Sequence, residues 1–454
     1  MSDSRIYRTI WRWHFYAGLI VAPFLLILSV TGAIYLFNDE LNDLTMPALH
    51  RVEAAAKPLP PSRLIRSALA AHPGSATRID LPGEPTRPAK VYVQPADGPP
   101  LHVMVDPGSG RVLGDFVYTR TLVGFAEVMH GSLTLGPWGD ALVELAACWA
   151  LVLIATGLFL WWPRGRRSMA GVLWPRLAAR GRAFWRDLHA VTGVWTVALT
   201  AFLILTGLPW AVVQGPLVRG AVAAMGIGNR EDAWGRVQPA SRPLREALGG
   251  IPWSQEALPM PASEAAHEGH GARNDGGPDP AAIAGADAIA ARALSYGLRG
   301  YRLYLPSGPT GVYTALASPD QPEGQRTLVF DRWSGALIGD NGWRDYGAGA
   351  KAIELGVQIH MGRYFGRANQ LLMLIPCVGI IVLVATGITM WWRRRPSGAL
   401  GAPPPVSGAR LRGAVAFLAV AGLALPLFGG SLLLLALADR LVRRRPEPVG
   451  GQPV

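Results

Sequence analysis

The sequence predicts a membrane α-helical bundle, tandem duplicated, with two α+β domains outside the bilayer. Three observations carry this. Half of the 454 residues are apolar and only 16% are charged, a balance that points to membrane spans. Four apolar runs, about 15–37, 140–162, 190–213 and 368–392, are each long enough to cross roughly 30 Å of hydrocarbon. The second half of the chain then repeats the first. His14 and Thr31 are 17 residues apart, as are His189 and Thr206; His130 and Thr156 are 26 apart, as are His360 and Thr386.

The first span, 1–37, opens Trp11-Arg12-Trp13-His14 and runs apolar from Phe15 to Phe37, with Thr31-Gly32 near its end. It is too long for a signal-peptide core and lacks a small-x-small cleavage site, so it reads as an uncleaved anchor. Residues 38–139 form the first outside domain. After Pro60-Pro61, Ser62–His72 has the apolar face of a helix in Leu64, Ile65, Ala68 and Leu69. Strand patterns follow at Ala76–Leu81, Ala89–Gln94 and Leu101–Asp106, with turn chemistry in Asp106-Pro107-Gly108-Ser109-Gly110. An amphipathic stretch, Thr121–Leu133, carries His130. The second span, 140–162, holds Cys148 and Thr156-Gly157 and ends Trp161-Trp162.

Residues 163–189 are an Arg-rich loop ending Trp185-Arg186-Asp187-Leu188-His189, and 190–213 are the third span. In 214–367 the Pro/Gly/Ala-rich stretch 226–280 reads as linker or disordered. A helix at Ala281–Tyr296 and strands near Tyr301–Leu305, Gly311–Ala317 and Arg326–Asp331 repeat the first outside domain. The turn returns as Asp331-Arg332-Trp333-Ser334-Gly335, and a second histidine helix ends near His360. The fourth span, 368–392, holds Cys377, Thr386-Gly387 and Trp391-Trp392. A loop, 393–412, leads to a fifth apolar segment, 413–437, and a tail, 438–454. The fifth segment reads as one more crossing; Pro426 and Gly429-Gly430 leave a re-entrant hairpin as the alternative.

The net charge of +12 is carried mostly by arginine beside the spans: Arg5, Arg8 and Arg12; Arg164, Arg166, Arg167, Arg176, Arg180, Arg182 and Arg186; and Arg393, Arg394, Arg395, Arg410 and Arg412. These are positive-inside clusters rather than a nucleic-acid footprint. They put the N-terminus and the loops 163–189 and 393–412 in the cytoplasm, and the two long connections outside. No charge lies deep in a span, which argues against an ion path. The two cysteines lie inside spans and form no CxxC or CxxCH, and no Gly-x-Gly-x-x-Gly follows a strand.

His14 and His189 then sit at the inner ends of spans, and His130 and His360 at the outer ends. A parallel duplication packs around an axis along the membrane normal, so each pair can face across the bundle. Two such imidazoles, each bonding at about 2 Å, would sandwich one haem iron, and bis-histidine ligation suits electron transfer. Ala17, Gly18, Thr192, Gly193, Gly131, Ser132 and Gly362 leave room for a flat macrocycle. Arg12, Arg186, Arg363 and Arg367 are cations suited to its propionates. The alternative is inherited packing, with histidines hydrogen-bonded across the bundle. His50, His72 and His102 have no partners at metal spacing, and His267-Glu268-Gly269-His270 reads as a solvated loop. Thr31, Thr156, Thr206 and Thr386 bond back to their own helices or let helices approach.

The motifs Trp13-His14-x3-Gly18…Thr31-Gly32 and His130-Gly131…Thr156-Gly157-x3-Trp161-Trp162-x-Arg164, with their second copies, resemble the PepSY-associated transmembrane family. The outside domains look like PepSY domains. The resemblance implies a multi-pass protein of the bacterial inner membrane with its large loops periplasmic. It implies a haem b electron-transfer protein of iron uptake, an oxidoreductase reducing a ferric siderophore or other ferric chelate, with two non-covalent haems on His14, His130, His189 and His360. Quinol or a cytoplasmic reductase is the expected donor. The family does not fix the substrate, and a non-redox PepSY protein that binds or regulates a peptide or protein partner is the rival reading.

Overall fold

The structure, a computed structural model, describes residues 2–163, 169–229, 241–263, 279–398, 401, 403 and 412–443. Arg164, Arg166, Arg167, Arg410, the stretch His267–His270 and residues 444–454 lie outside the described residues. In order, the helices and strands are α1 (Ser2–Leu36), α2 (Asn38–Thr45), α3 (Pro47–His50), α4 (Pro61–Ala71), β1 (Ser75–Leu81), β2 (Ala89–Gln94), β3 (Leu101–Val105), β4 (Val112–Phe116), α5 (Leu122–Ser132), α6 (Pro137–Trp161), α7 (Arg182–Gly207) and α8 (Gln214–Ala224). Then come α9 (Leu244–Ala247), α10 (Pro280–Ser295), β5 (Tyr301–Tyr304), β6 (Tyr313–Ala317), β7 (Arg326–Phe330), β8 (Leu337–Gly342), α11 (Ala348–His360), α12 (Arg367–Arg394), α13 (Arg412–Ala424) and α14 (Pro426–Arg443). They fall into a helical unit, Met1–Ala33, Met129–Val218 and Leu372–Val454, and a sheet unit, Ile34–Val128 and Arg219–Leu371.

The helical unit bears out the four expected spans. Arg5–Leu36, Pro137–Trp161, Arg182–Trp210 and Arg367–Arg394 are long and apolar enough to cross a membrane. α7 starts at Arg182, so Trp185–His189, expected in the loop, is already helical and His189 lies two turns inside. The fifth segment is not one continuous crossing. It breaks at Leu425, because Pro426 cannot donate to the helix ladder. α13 has 13 residues and rises only about 20 Å. The chain turns back so tightly that a Cβ on Gly429 would lie 2.4 Å from the Gly422 carbonyl oxygen, which only glycine permits. The hairpin buries Phe428 fully against Cys148 and Val152 of α6, and the Trp149 indole N–H donates to Ser431 Oγ at 3.2 Å.

The sheet unit departs from the sequence reading in one large respect. Two separate three-stranded domains were the expectation. The strands instead form one eight-stranded antiparallel sheet in the order β4-β3-β2-β1-β5-β6-β7-β8. Each of the two outside segments contributes four strands, and the two sets join edge to edge through β1 and β5, where Ile79 pairs with Leu303 and Asp80 with Arg302. A β1 edge left bare would be an unpaired hydrogen-bonding template, and β5 satisfies it. The seam closes because Gly83 and Gly300 meet backbone to backbone; a Cβ on Gly300, at φ 62°, would lie 2.8 Å from the Gly83 Cα. The fourth strands, β4 and β8, escape the alternation rule because Gly-Asp interrupts each apolar run at Gly114-Asp115 and Gly339-Asp340.

The Asp turns are hairpin chemistry, as expected. The Asp106 carboxylate accepts from the Gly108 N–H at 2.8 Å and the Ser109 hydroxyl at 2.6 Å. Asp331 likewise accepts from the Trp333 and Ser334 N–H groups at 3.0 and 2.8 Å.

One sheet face is apolar. Leu64, Ile65 and Ala68 of α4 and Ile283, Ala286 and Ile289 of α10 pack on Ile79, Val91, Val103, Leu303, Leu328 and Phe330. Burying one such side chain stabilises by about 1.5–3 kcal/mol. On the other face, Leu244, Ile251 and Leu258 cover Tyr304, Leu316 and Val329 of β5, β6 and β7. Residues 241–263, expected as linker, are therefore a packed layer. Gln255, almost fully buried, accepts from the Thr327 hydroxyl at 2.7 Å. A Pro- and Gly-rich composition hides this, since nothing local distinguishes a solvated loop from one pinned by side chains.

Candidate functional site: histidines latched to threonines

α1 and α6 run antiparallel, and their histidines and threonines interlock. His14 of α1 lies with its Nδ1 2.9 Å from Thr156 Oγ1 of α6. His130, near the end of α5, lies with its Nδ1 3.0 Å from Thr31 Oγ1 of α1. His189 of α7 does the same: its Nδ1 is 2.9 Å from Thr386 Oγ1 of α12. His360, the last residue of α11, belongs to the sheet unit.

The protons can be placed by elimination. A threonine hydroxyl has one proton. Thr31, Thr156 and Thr386 each donate it to the carbonyl four residues back, to Ile27 at 2.7 Å, Val152 at 2.8 Å and Val382 at 2.7 Å. Each oxygen then offers the imidazole only a lone pair, so Nδ1 carries the hydrogen. His189 supports this independently, because its Nδ1 also lies 3.1 Å from the Leu383 carbonyl, which can only accept. The lone pair of each ring is therefore on Nε2, the arrangement in which an outer partner fixes a ligating histidine. Burial holds the His130 imidazole below its ordinary range, so it stays neutral. His14 and His189 are near enough for a charge on one to bear on the other.

The glycine of each Thr-Gly pair makes room for the ring. A Cβ on Gly32 would stand 3.2 Å from the His130 ring, one on Gly157 3.3 Å from His14, and one on Gly387 3.7 Å from His189. Gly18 and Gly193 face Leu153 and Leu383 instead. The threonines do bond back to their helices, as the sequence predicts. Their second role, as acceptors for histidines of a neighbouring helix, was hidden in the spacing. Thr31 was counted from His14 on its own helix, yet its partner is His130.

The arginines divide. Arg186 bonds Asp187 at 2.9 Å, and Arg176 bonds the same carboxylate at 2.6 Å. Asp187 is fully buried, two residues before His189, so this double ion pair steadies the start of α7. The loop residues beside it are fastened by tryptophans: the Trp161 and Trp195 indoles donate to the Val172 and Leu173 carbonyls at 3.0 and 2.7 Å. Arg12 donates to the Pro403 carbonyl and lies over the Tyr16 ring at 5.2 Å. The Arg363 charge bears on Tyr35 and Asp320 within the sheet unit. Glu144, a buried carboxylate inside α6, was missed by sequence reading. It accepts from the Val213 and Gln214 N–H groups at 2.8 and 3.0 Å and so caps α8. Two acids four residues apart, Asp140 and Glu144, at the start of an apolar run were the available signal.

Among the described residues no three His, Cys, Asp or Glu side chains converge to hold a bare metal ion. The helical unit instead offers single, oriented Nε2 donors beside glycines. Such a donor set fits a haem that would be held by histidine nitrogens. No curated protein matches the chain. The PepSY-associated TM region matches residues 11–394, a stretch that takes in the four apolar helices, the sheet and the four histidines, and the chain belongs to the PepSY-associated transmembrane family.

Proposed function

We propose that this multi-pass protein is a haem b electron-transfer protein of the bacterial inner membrane that reduces a ferric siderophore or other ferric chelate on the periplasmic side. The electron donor is quinol or a cytoplasmic reductase. One observation supports this most directly: His14, His130 and His189 each commit Nδ1–H to a threonine of another helix and keep the Nε2 lone pair. The sequence repeat pairs His14 with His189 and His130 with His360.

Haem b held by such histidines would supply one-electron Fe(III)/Fe(II) exchange. The chain's residues do the rest. Thr156, Thr31 and Thr386 hold the rings in one tautomer. Gly157, Gly32 and Gly387 give the rings space. Arg12 and Arg363, two or three residues from a histidine, would be the cations for propionates; Arg186, three residues from His189, would serve only by sharing its charge with Asp187. One electron delivered to a ferric chelate suffices for release, since Fe(II) binds hard oxygen ligands far less well than Fe(III). The positive-inside arginines support a cytoplasmic N-terminus and a periplasmic sheet unit.

The test is a reduced-minus-oxidised spectrum of the protein purified in detergent from cells with ample haem. His14→Ala and His189→Ala should each remove the same haem and leave the other. Absence of haem absorbance in the unsubstituted protein overturns the proposal and favours the non-redox reading.

A further inference from the structure

The face of β1–β3 opposite α4 carries a cation without a partner. Lys90 stands directly across from Asp80 in the β1–β2 register. Asp80 is already taken: Arg78 grips it at 2.5 and 2.7 Å, and the Tyr92 hydroxyl donates to it at 3.2 Å. Among the described residues no carboxylate pairs with Lys90; its ammonium lies 5.9 Å from the Tyr92 ring, which Arg78 already covers at 3.8 Å. Two imidazoles share the neighbourhood. His102 packs against Tyr92, Phe116 and Tyr118 with ring centroids 4.3, 5.3 and 5.4 Å away, and His50 stacks on Phe116 at 6.4 Å. His102 Nδ1 and His50 Nε2 are both buried with no hydrogen-bond partner. The Lys90 charge bears on both rings.

Unpartnered buried polar atoms are rare in folded proteins, and each calls for an explanation. Here two of them, both imidazole nitrogens, lie in the neighbourhood of the Lys90 ammonium. We propose that this spot is a binding site for a small carboxylate anion, with the Lys90 ammonium as its counter-charge and His50 and His102 as hydrogen-bonding flanks. Burial holds the His102 imidazole down at about 4, so it is neutral near pH 7, and the positive charge of the site is that of the Lys90 ammonium, whose pKa burial lowers and the Asp80 charge supports. A carboxylate arm brings a single negative charge to that ammonium; a phosphate dianion brings two. The carboxylate comes either from a free acid or from an arm of a ferric chelate. The site lies wholly within the sheet unit and stands whether or not haem binds the helical unit.

Titration calorimetry on the full-length protein in detergent tests it, with citrate, ferric citrate and inorganic phosphate as probes. We expect saturable binding of citrate or ferric citrate, and at least a tenfold loss of affinity in Lys90→Met. Binding of ferric citrate without binding of citrate assigns the site to the chelate; binding of both assigns it to the carboxylate itself. Lys90→Met should also raise the thermal stability of the ligand-free protein, because it removes a half-buried cation without a counter-charge. His14→Ala should leave citrate binding unchanged, which separates this site from the haem proposal. The inference is overturned if neither citrate species binds, if phosphate binds equally well, or if Lys90→Met binds as before.

Discussion

Replacing Thr156 and Thr386 by valine should not have the same effect, although the two threonines hold equivalent histidines. Valine keeps the shape and deletes the acceptor. His14 Nδ1 has Thr156 as its hydrogen-bond partner, so Thr156→Val strands a buried N–H. That costs about 1–3 kcal/mol, or roughly 5- to 150-fold in an equilibrium that depends on the ring's orientation. His189 Nδ1 has a second acceptor, the Leu383 carbonyl at 3.1 Å. Thr386→Val therefore forfeits only the net value of a neutral bond, about 0.5–1.5 kcal/mol and at most some tenfold. The assay is transfer of bound haem to excess apomyoglobin, followed by absorbance, with Thr156→Ser as a control that restores retention. Nitrogen-15 spectra of histidine-labelled protein give the tautomer without reference to haem, and the rings should show hydrogen on Nδ1. Equal losses in the two valine variants, a reversed order, or hydrogen on Nε2 would refute the proton placement.

Three further outcomes follow from the geometry. Asp287 of α10 accepts from the Ser62 N–H at 2.8 Å and its hydroxyl at 2.7 Å, and so caps α4 from the other repeat; Asp287→Ala should destabilise the sheet unit by about 1–2 kcal/mol in urea pulse proteolysis, and an unchanged midpoint would count against the cap. His102, ordinarily near 6.5, is held at about 4 chiefly by burial. The unfolded chain therefore takes up this proton first, so stability is full above about 6.5 and falls as pH drops toward 4. Thermal midpoints of His102→Gln should fall less over that interval than those of the unsubstituted protein, and identical slopes would exclude His102 as the source. Cys148 and Cys377 are 0% and 6% exposed, so maleimide should label neither until the protein is denatured; rapid labelling of Cys148 in the native protein would show that the α6–hairpin packing is open.

From residue order alone come the four spans, the two Asp turns, both long helices of the outside domains and the doubled histidine spacing. All are local: an apolar run of bilayer length, a turn that closes on its own aspartate, a period read within one segment. Even the Gly-Asp interruptions that hid β4 and β8 are local signals, only weak ones. What composition could not tell is which distant segment covers which face. Residues 241–263 look like linker until Gln255 and Leu244 are found against the sheet. The two outside domains look separate until β1 and β5 join. The histidine–threonine spacing shows this most sharply. Thr31 lies 17 residues beyond His14 on one helix, which puts them about 26 Å apart. They can never touch. Antiparallel packing of α1 on α6 exchanges the partners, giving Thr156 to His14 and Thr31 to His130. A repeat in sequence preserves distances along the chain; only packing between helices decides which side chains those distances bring together.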